Sequence, residues 1–194
     1  MKKSDEDVVD LVLSGDIGAF EVLVRRYDAM LRRYIRRLGV TPPRDEDVLQ
    51  DVFLKAYTNL NGYNAHYAFS SWIYRIAHNE TISYHRKKQV AYTFRNDQEE
   101  AWFWDGVVSE HDAISAIIAE EDEWTATEAR QWLTHTLQTI DIKYSEPLIL
   151  HFFEGKQYGE IADILHIPVS TVGTRIRRAK EKLQLLYTKR NKNI

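Results

Sequence analysis

Residues 166–180, HIPVSTVGTRIRRAK, gather Arg175, Arg177, Arg178 and Lys180 beside Ser170, Thr171 and Thr174. These side chains suit the recognition of duplex nucleic acid. A guanidinium pairs bidentately with the major-groove edge of guanine, small hydroxyls permit close approach, and a helix N-terminus attracts phosphate. The spacing predicts that they share a surface. Val172, Ile176, Ala179, Leu183 and Leu186 recur on one stripe of a 3.6-residue period, which leaves Ser170, Thr174, Arg177 and Arg178 on the opposite face near the helix start. Just upstream, residues 160–165 turn Ile161, Ala162 and Leu165 inward, and His166, Ile167 and Pro168 make the turn. Two short helices joined in this way, the second one cationic, read as a helix-turn-helix that enters a major groove.

A second candidate lies in SSWIYRIAHNETISYHRKK, residues 70–88. Trp72, Ile73, Ile76, Ala77 and Ile82 are apolar, and the other face offers Tyr74, Arg75, His78, Asn79 and Tyr84 before a basic end at Arg86, Lys87 and Lys88. Cations interleaved with rings suit single-stranded nucleic acid, whose bases expose their faces for stacking. A partly buried aromatic helix explains the same pattern. His78 and His85 stand seven residues apart with no third ligand at metal spacing, so they read as satisfied surface histidines, and no metal, cofactor or catalytic site is expected.

Helices must position both faces. Eight glycines and four prolines in 194 residues, with apolar residues recurring at three and four, predict an all-α protein. Ser4 is expected to cap a first helix ending near Gly15, and Asp16 a second one. In that second helix Phe20, Leu23, Val24, Tyr27, Leu31, Tyr34, Ile35 and Leu38 form the core stripe, with arginine pairs elsewhere on its surface. Pro42 and Pro43 break the chain. Asp45 is expected to cap the next helix, which turns Val48, Leu49, Val52, Phe53, Ala56 and Tyr57 inward. Asp45, Glu46, Asp47, Gln50 and Asp51 then occupy its outer N-terminal end, where acids favour the helix dipole.

Charge divides the chain into three parts. The net charge is -3, yet no Lys or Arg lies between Arg95 and Arg130, where eleven of the 29 acids fall, leaving 18 acids against 26 cations elsewhere. Two basic lobes therefore flank an acidic strap. The strap reads as a solvated linker, although the rings of AWFWDGVV within it are expected to dock in part. No apolar run approaches the roughly 20 residues that span a bilayer, the first residues turn acidic rather than apolar, and there is no cysteine. A cytoplasmic protein without membrane contact is expected.

Three stretches, DEDVLQDVFLKAY, FSSWIYRIAHNETISYHRKK and EGKQYGEIADILHIPVSTVGTRIRRAKEKL, stand in the order and spacing of bacterial extracytoplasmic-function sigma factors, and the chain resembles that family over most of its length. The resemblance implies an all-α protein of two small helical domains joined by an acidic linker: 1–95 binding the polymerase clamp and melting the minus-10 element, 96–123 the linker, and 124–194 a helix-turn-helix for the minus-35 element. It implies core RNA polymerase and promoter DNA as partners, and an anti-sigma factor as a further one. By position, Asp47, Gln50, Asp51 and Lys55 meet the clamp. Asn61, Tyr63, Phe69, Trp72, Arg75 and Asn79 hold flipped minus-10 bases. Ser170, Thr171, Thr174, Arg177 and Arg178 contact the minus-35 element. Gly173 stands where the family usually carries Lys or Arg. A helix-turn-helix regulator that works without polymerase shares the C-terminal motif, but it has no need of the helix around Asp51 or of the aromatic loop.

Overall fold

The first helix, α1 (Asp5–Leu13), starts on a capping box: the Ser4 hydroxyl accepts from the Asp7 amide at 3.0 Å, and the Asp7 carboxylate accepts from the Ser4 amide at 2.9 Å. Both donors would otherwise be orphaned at the helix start. This computed structural model describes residues 3–87 and 126–191, so the acidic stretch read at 96–123 lies outside the described residues. α2 (Phe20–Arg37) buries Phe20, Leu23, Tyr27, Leu31, Tyr34 and Ile35 as the periodicity requires. Asp16, expected as its cap, makes no side-chain hydrogen bond to a helix amide. A 3-10 turn over Ile17–Ala19 intervenes, which moves the first α-helical turn beyond its reach.

α3 (Arg44–Thr58) corrects a second expectation. Asp45 is 1% exposed and is no cap; its Oδ2 lies 2.6 Å from Arg36 Nε and 3.8 Å from Arg32 Nη1. The arginines of α2 line the edge that meets α3, so the carboxylate is drawn between two cations instead of toward helix amides. Tyr57 is 38% exposed at that helix's end, its ring set edge-on to Phe20. α4 (Phe69–Lys87) buries Phe69, Ile73, Tyr74 and Ala77 against α2 and α3. Tyr74, expected on the outer face, is 2% exposed. His85, expected at the surface, is 4% exposed and bonds the Leu38 carbonyl at 2.9 Å.

The C-terminal helices are α5 (Ala126–Thr139), α6 (Ile142–Phe152), α7 (Tyr158–Leu165) and α8 (Val169–Asn191). α6 is buried along nearly its whole length because α8 packs on one side of it and α2 on another. Leu148, Ile149 and Leu150 are fully buried there, each contributing about 1.5–3 kcal/mol. α7 opens on a capping box between Gln157 and Glu160 and closes on His166, whose φ of 58° lies in the left-handed region that ends helices. Ile161 and Ile164 are its deepest residues, and Leu165, expected inward, is only half-buried. In α8 the buried stripe is Val172, Ile176, Ala179, Leu183 and Tyr187. Leu186, expected in that stripe, is 37% exposed, because Tyr187 continues the helical period and meets Trp132 of α5 edge-on. Among the described residues the eight α-helices are accompanied by no strand.

Candidate nucleic-acid interface

The turn between α7 and α8 delivers the expected helix-turn-helix surface. Ser170, Thr174 and Arg177 are exposed on the first turns of α8, and Thr171 and Arg178 are half-buried. Thr174 donates to the Ser170 carbonyl at 3.1 Å, which tucks its hydroxyl against the helix. Arg177 pairs with Glu181 at 2.7 Å, an i,i+4 contact readable in the sequence. Arg178 is held differently: its Nη1 donates to the Tyr144 hydroxyl at 3.3 Å, and Lys182 stands 4.7 Å from the centre of the same ring. Tyr144 thus aims two cations of α8 from α6, and no local sequence signal marks it. At Gly173 a Cβ would start 3.5 Å from the Tyr158 ring, so this position faces α7 and not the surface that carries Ser170, Thr174 and Arg177.

The second face is built at the N-terminus of α4. Phe69 is fully buried and meets Tyr27, Tyr63 and Trp72, with ring centroids 5.5–5.6 Å apart. This aromatic cluster props the half-buried Tyr63 and Trp72 at the surface, with Asn61, Arg75 and Asn79 exposed around them. The Tyr63 hydroxyl donates to the Tyr67 carbonyl at 2.7 Å. Burial, with the Glu6 carboxylate beside it, pushes that hydroxyl's pKa up to about 12, so it remains a donor at neutral pH. Asn64, Tyr67, Trp72 and Arg75 line one wall of a cleft of about 240 Å³, and Asp163 and His166 of α7 line the other.

The third face runs along α3. Asp47, Gln50, Asp51 and Lys55 are all exposed; Asp47 pairs with Arg44 at 3.0 Å and Lys55 with Glu80 of α4 at 2.6 Å. Leu54, which the sequence did not single out, is 59% exposed on the same ridge. An apolar side chain between paired charges gives that ridge a contact point of the kind found at protein interfaces.

Residues 23–101 match the family described as Sigma-70 region 2, and residues 130–183 match Sigma-70, region 4. The chain is 31% identical over 173 residues to the ECF RNA polymerase sigma factor SigW of Bacillus subtilis (strain 168), covering 89% of this chain and 91% of that protein. It is 32% identical over 185 residues to the ECF RNA polymerase sigma-E factor of Escherichia coli (strain K12), covering 93% and 92%. The chain belongs to the extracytoplasmic-function sigma factors. Among solved structures, CnrH in complex with the cytosolic domain of CnrY superposes with a TM-score of 0.68 at 25% identity, covering 95% of this chain and 97% of that one. The sigma factor RpoE in complex with the anti-sigma factor NepR from Bartonella quintana shares the fold, with a TM-score of 0.63 at 21% identity over 87% and 96% of the chains.

Some residues of this sigma factor that sequence reasoning assigned to a surface turn inward. His78 is half-buried, and its Nδ1 lies 2.7 Å from Glu146 Oε1 of α6; the buried Tyr34 hydroxyl donates to the same oxygen. Burial pulls the His78 pKa down and Arg75 on its own helix adds to this, but the Glu146 charge and hydrogen bond outweigh both, so the pKa is raised above 6.5. A raised native pKa stabilises the fold fully below about 6.5, and the contribution fades as pH rises through the native value. A proton NMR titration of His78 is therefore expected to give a midpoint above 6.5. Glu146→Gln removes the charge, leaves burial to dominate, and moves the midpoint below 6.5; an unchanged midpoint would refute the coupling. Among the described residues no three His, Asp or Glu side chains are placed to hold a metal ion, and no helix is long and apolar enough to cross a membrane.

Proposed function

We propose that this sigma factor directs core RNA polymerase to promoters through three separate faces of its two lobes. The exposed ridge of α3, with Asp47, Gln50, Asp51 and Lys55, binds the polymerase clamp. Tyr63 and Trp72, with Asn61, Arg75 and Asn79 around them, take up minus-10 bases as the duplex melts, and Phe69 serves from the core as the prop beneath those rings. Ser170, Thr171, Thr174, Arg177 and Arg178 contact the minus-35 element from α8. The division at 1–95, 96–123 and 124–194 follows, with the acidic segment as the link.

The observation that carries this reading is the presence in one chain of an exposed cationic helix-turn-helix face on α8 and, at the start of α4, half-buried aromatic rings beside exposed Asn61, Arg75 and Asn79. A duplex-binding regulator needs only the first. The protein itself performs no catalysis and works in the cytoplasm, where polymerase supplies the chemistry. An anti-sigma factor is part of the proposal; CnrH, 25% identical to this chain, is itself solved in complex with the cytosolic domain of a second protein, CnrY. The test is transcription in vitro: core polymerase alone and core polymerase plus this chain, on a pool of genomic fragments. Discrete start sites that depend on the added chain are expected. Tight binding of the chain alone to specific duplexes, with no new start sites, would instead establish a regulator that acts without polymerase.

A further inference from the structure

Two lysines of α8 rest on rings supplied by α6. Lys182 Nζ stands 4.7 Å from the centre of the Tyr144 ring, and Lys180 Nζ stands 5.0 Å from the centre of the Phe152 ring. Lys143, beside Tyr144 in sequence, also lies over that ring, at 4.8 Å. At about 3.6 residues per turn, Lys180 and Lys182 leave α8 on roughly opposite sides. Tyr144 and Phe152 are both on α6, and the eight residues between them span about 12 Å along its axis. The rings therefore hold the two cations apart instead of letting them converge.

Both seats are fixed from below. Tyr144 is 2% exposed, in the core. The exposed Phe152 ring is braced edge-on by His151 at 4.8 Å, and His151 is held in turn by donating from Nδ1 to the Lys156 carbonyl at 2.9 Å. A lysine gives up much rotamer freedom when it is immobilised on a partner. Laid over a ring, its stem is already ordered, while its ammonium keeps donors to offer an oxygen. Such a side chain is preorganised for an anion.

Position along α8 selects the anion. A recognition helix touches base edges with its N-terminal residues, and the major groove is about 8.5 Å deep and about 12 Å wide. Lys180 lies about 15 Å farther along the axis than Ser170. At that height the helix has left the groove floor and meets the rim, where one phosphate backbone runs on each side. The spacing of the two rings matches the width between those backbones. Opposite flanks of one helix then meet opposite strands.

From this geometry we infer that α6 and α8 form a two-strand phosphate clamp: Lys180, seated on Phe152, grips one backbone of the minus-35 duplex, and Lys182 with Lys143, seated on Tyr144, grips the other. Phosphate contacts carry no sequence information but set the register and orientation of the helix that does, so Phe152 is a positioning residue. The clamp rests on the assignment of α8 to the minus-35 element made above, and its test separates the two. The complex of this chain with core polymerase is bound to a promoter it selects, in which the phosphates bordering the minus-35 element are replaced one at a time by neutral methylphosphonates. The parent is expected to lose affinity about threefold at particular positions on both strands, as loss of single ionic contacts does. Lys180→Ala is expected to erase these losses on one strand only, and Lys182→Ala combined with Lys143→Ala on the other strand only. Phe152→Leu keeps an apolar side chain and Lys180 itself; it is expected to weaken the parent complex and to add nothing to Lys180→Ala, with helix content unchanged by circular dichroism. Losses that persist in both lysine variants, or that vanish on the same strand in both, would overturn the clamp and leave α8 as the reader. An equal effect of Phe152→Leu with and without Lys180 would overturn the positioning role of the ring. A parent complex indifferent to mutation of the minus-35 base pairs would overturn the assignment of α8, and the clamp with it.

Discussion

Asp51→Arg is expected to weaken binding to core polymerase at least tenfold and to abolish transcription from any promoter this sigma factor serves. Asp51 is exposed on the α3 ridge, beside Gln50 and one turn from Leu54, while the apolar stripe of Val48, Leu49 and Val52 faces the core. The substitution therefore leaves packing intact and reverses charge on the ridge proposed to dock polymerase. Like charges brought together across an interface cost several kcal/mol, which is ample for a tenfold loss. The measurement is the affinity of labelled sigma factor for core polymerase by fluorescence anisotropy, with circular dichroism as the check on folding. Unchanged affinity in a natively helical variant would remove α3 as the docking ridge. Leu54→Ala supplies a graded comparison, since truncating an exposed side chain touches no core contact and its effect reports the interface alone.

The second large effect separates two cations that lean on one ring. Arg178→Ala is expected to cost about 1–3 kcal/mol on the preferred minus-35 duplex and to relax base preference at one position, as loss of a base contact does. Lys182→Ala is expected to weaken all duplexes alike and to reduce the salt slope by about one, as loss of a phosphate contact does. Both side chains approach Tyr144, Arg178 through the hydroxyl and Lys182 over the ring face. Tyr144→Phe removes only the hydroxyl, so it should reproduce part of the Arg178 effect and little of the Lys182 effect. Comparing specific with random duplex at several salt concentrations measures all three. Equal losses on both duplexes for Arg178→Ala would make it a phosphate contact.

Pattern within a helix was legible for most apolar residues. The stripe from Phe20 to Ile35, the cap at Ser4, the turn at His166 to Pro168 and the buried face of α8 up to Leu183 follow from residue types close together in the chain, and that pattern is local physics. The resemblance to sigma factors rests on such local stretches, and the comparisons bear it out. Charge segregation along the chain was equally plain, because it requires only counting.

Tertiary structure decided how polar residues are used. Asp45 reads as a helix cap because acids favour N-termini, yet the arginines of α2, set opposite by packing, draw it between the helices. Tyr74 and His78 read as an exposed aromatic and basic face, because nothing near them in sequence foretells Glu154 and Glu146 arriving from 80 and 68 residues away. Tyr144 carries no signal of its own in the sequence, yet from α6 it aims Arg178 and Lys182. The reason is common to all three cases. An apolar residue declares its preference for the interior by composition alone, whereas a buried polar residue is tolerated only with a partner, and the partner's place is set by the packing of whole helices.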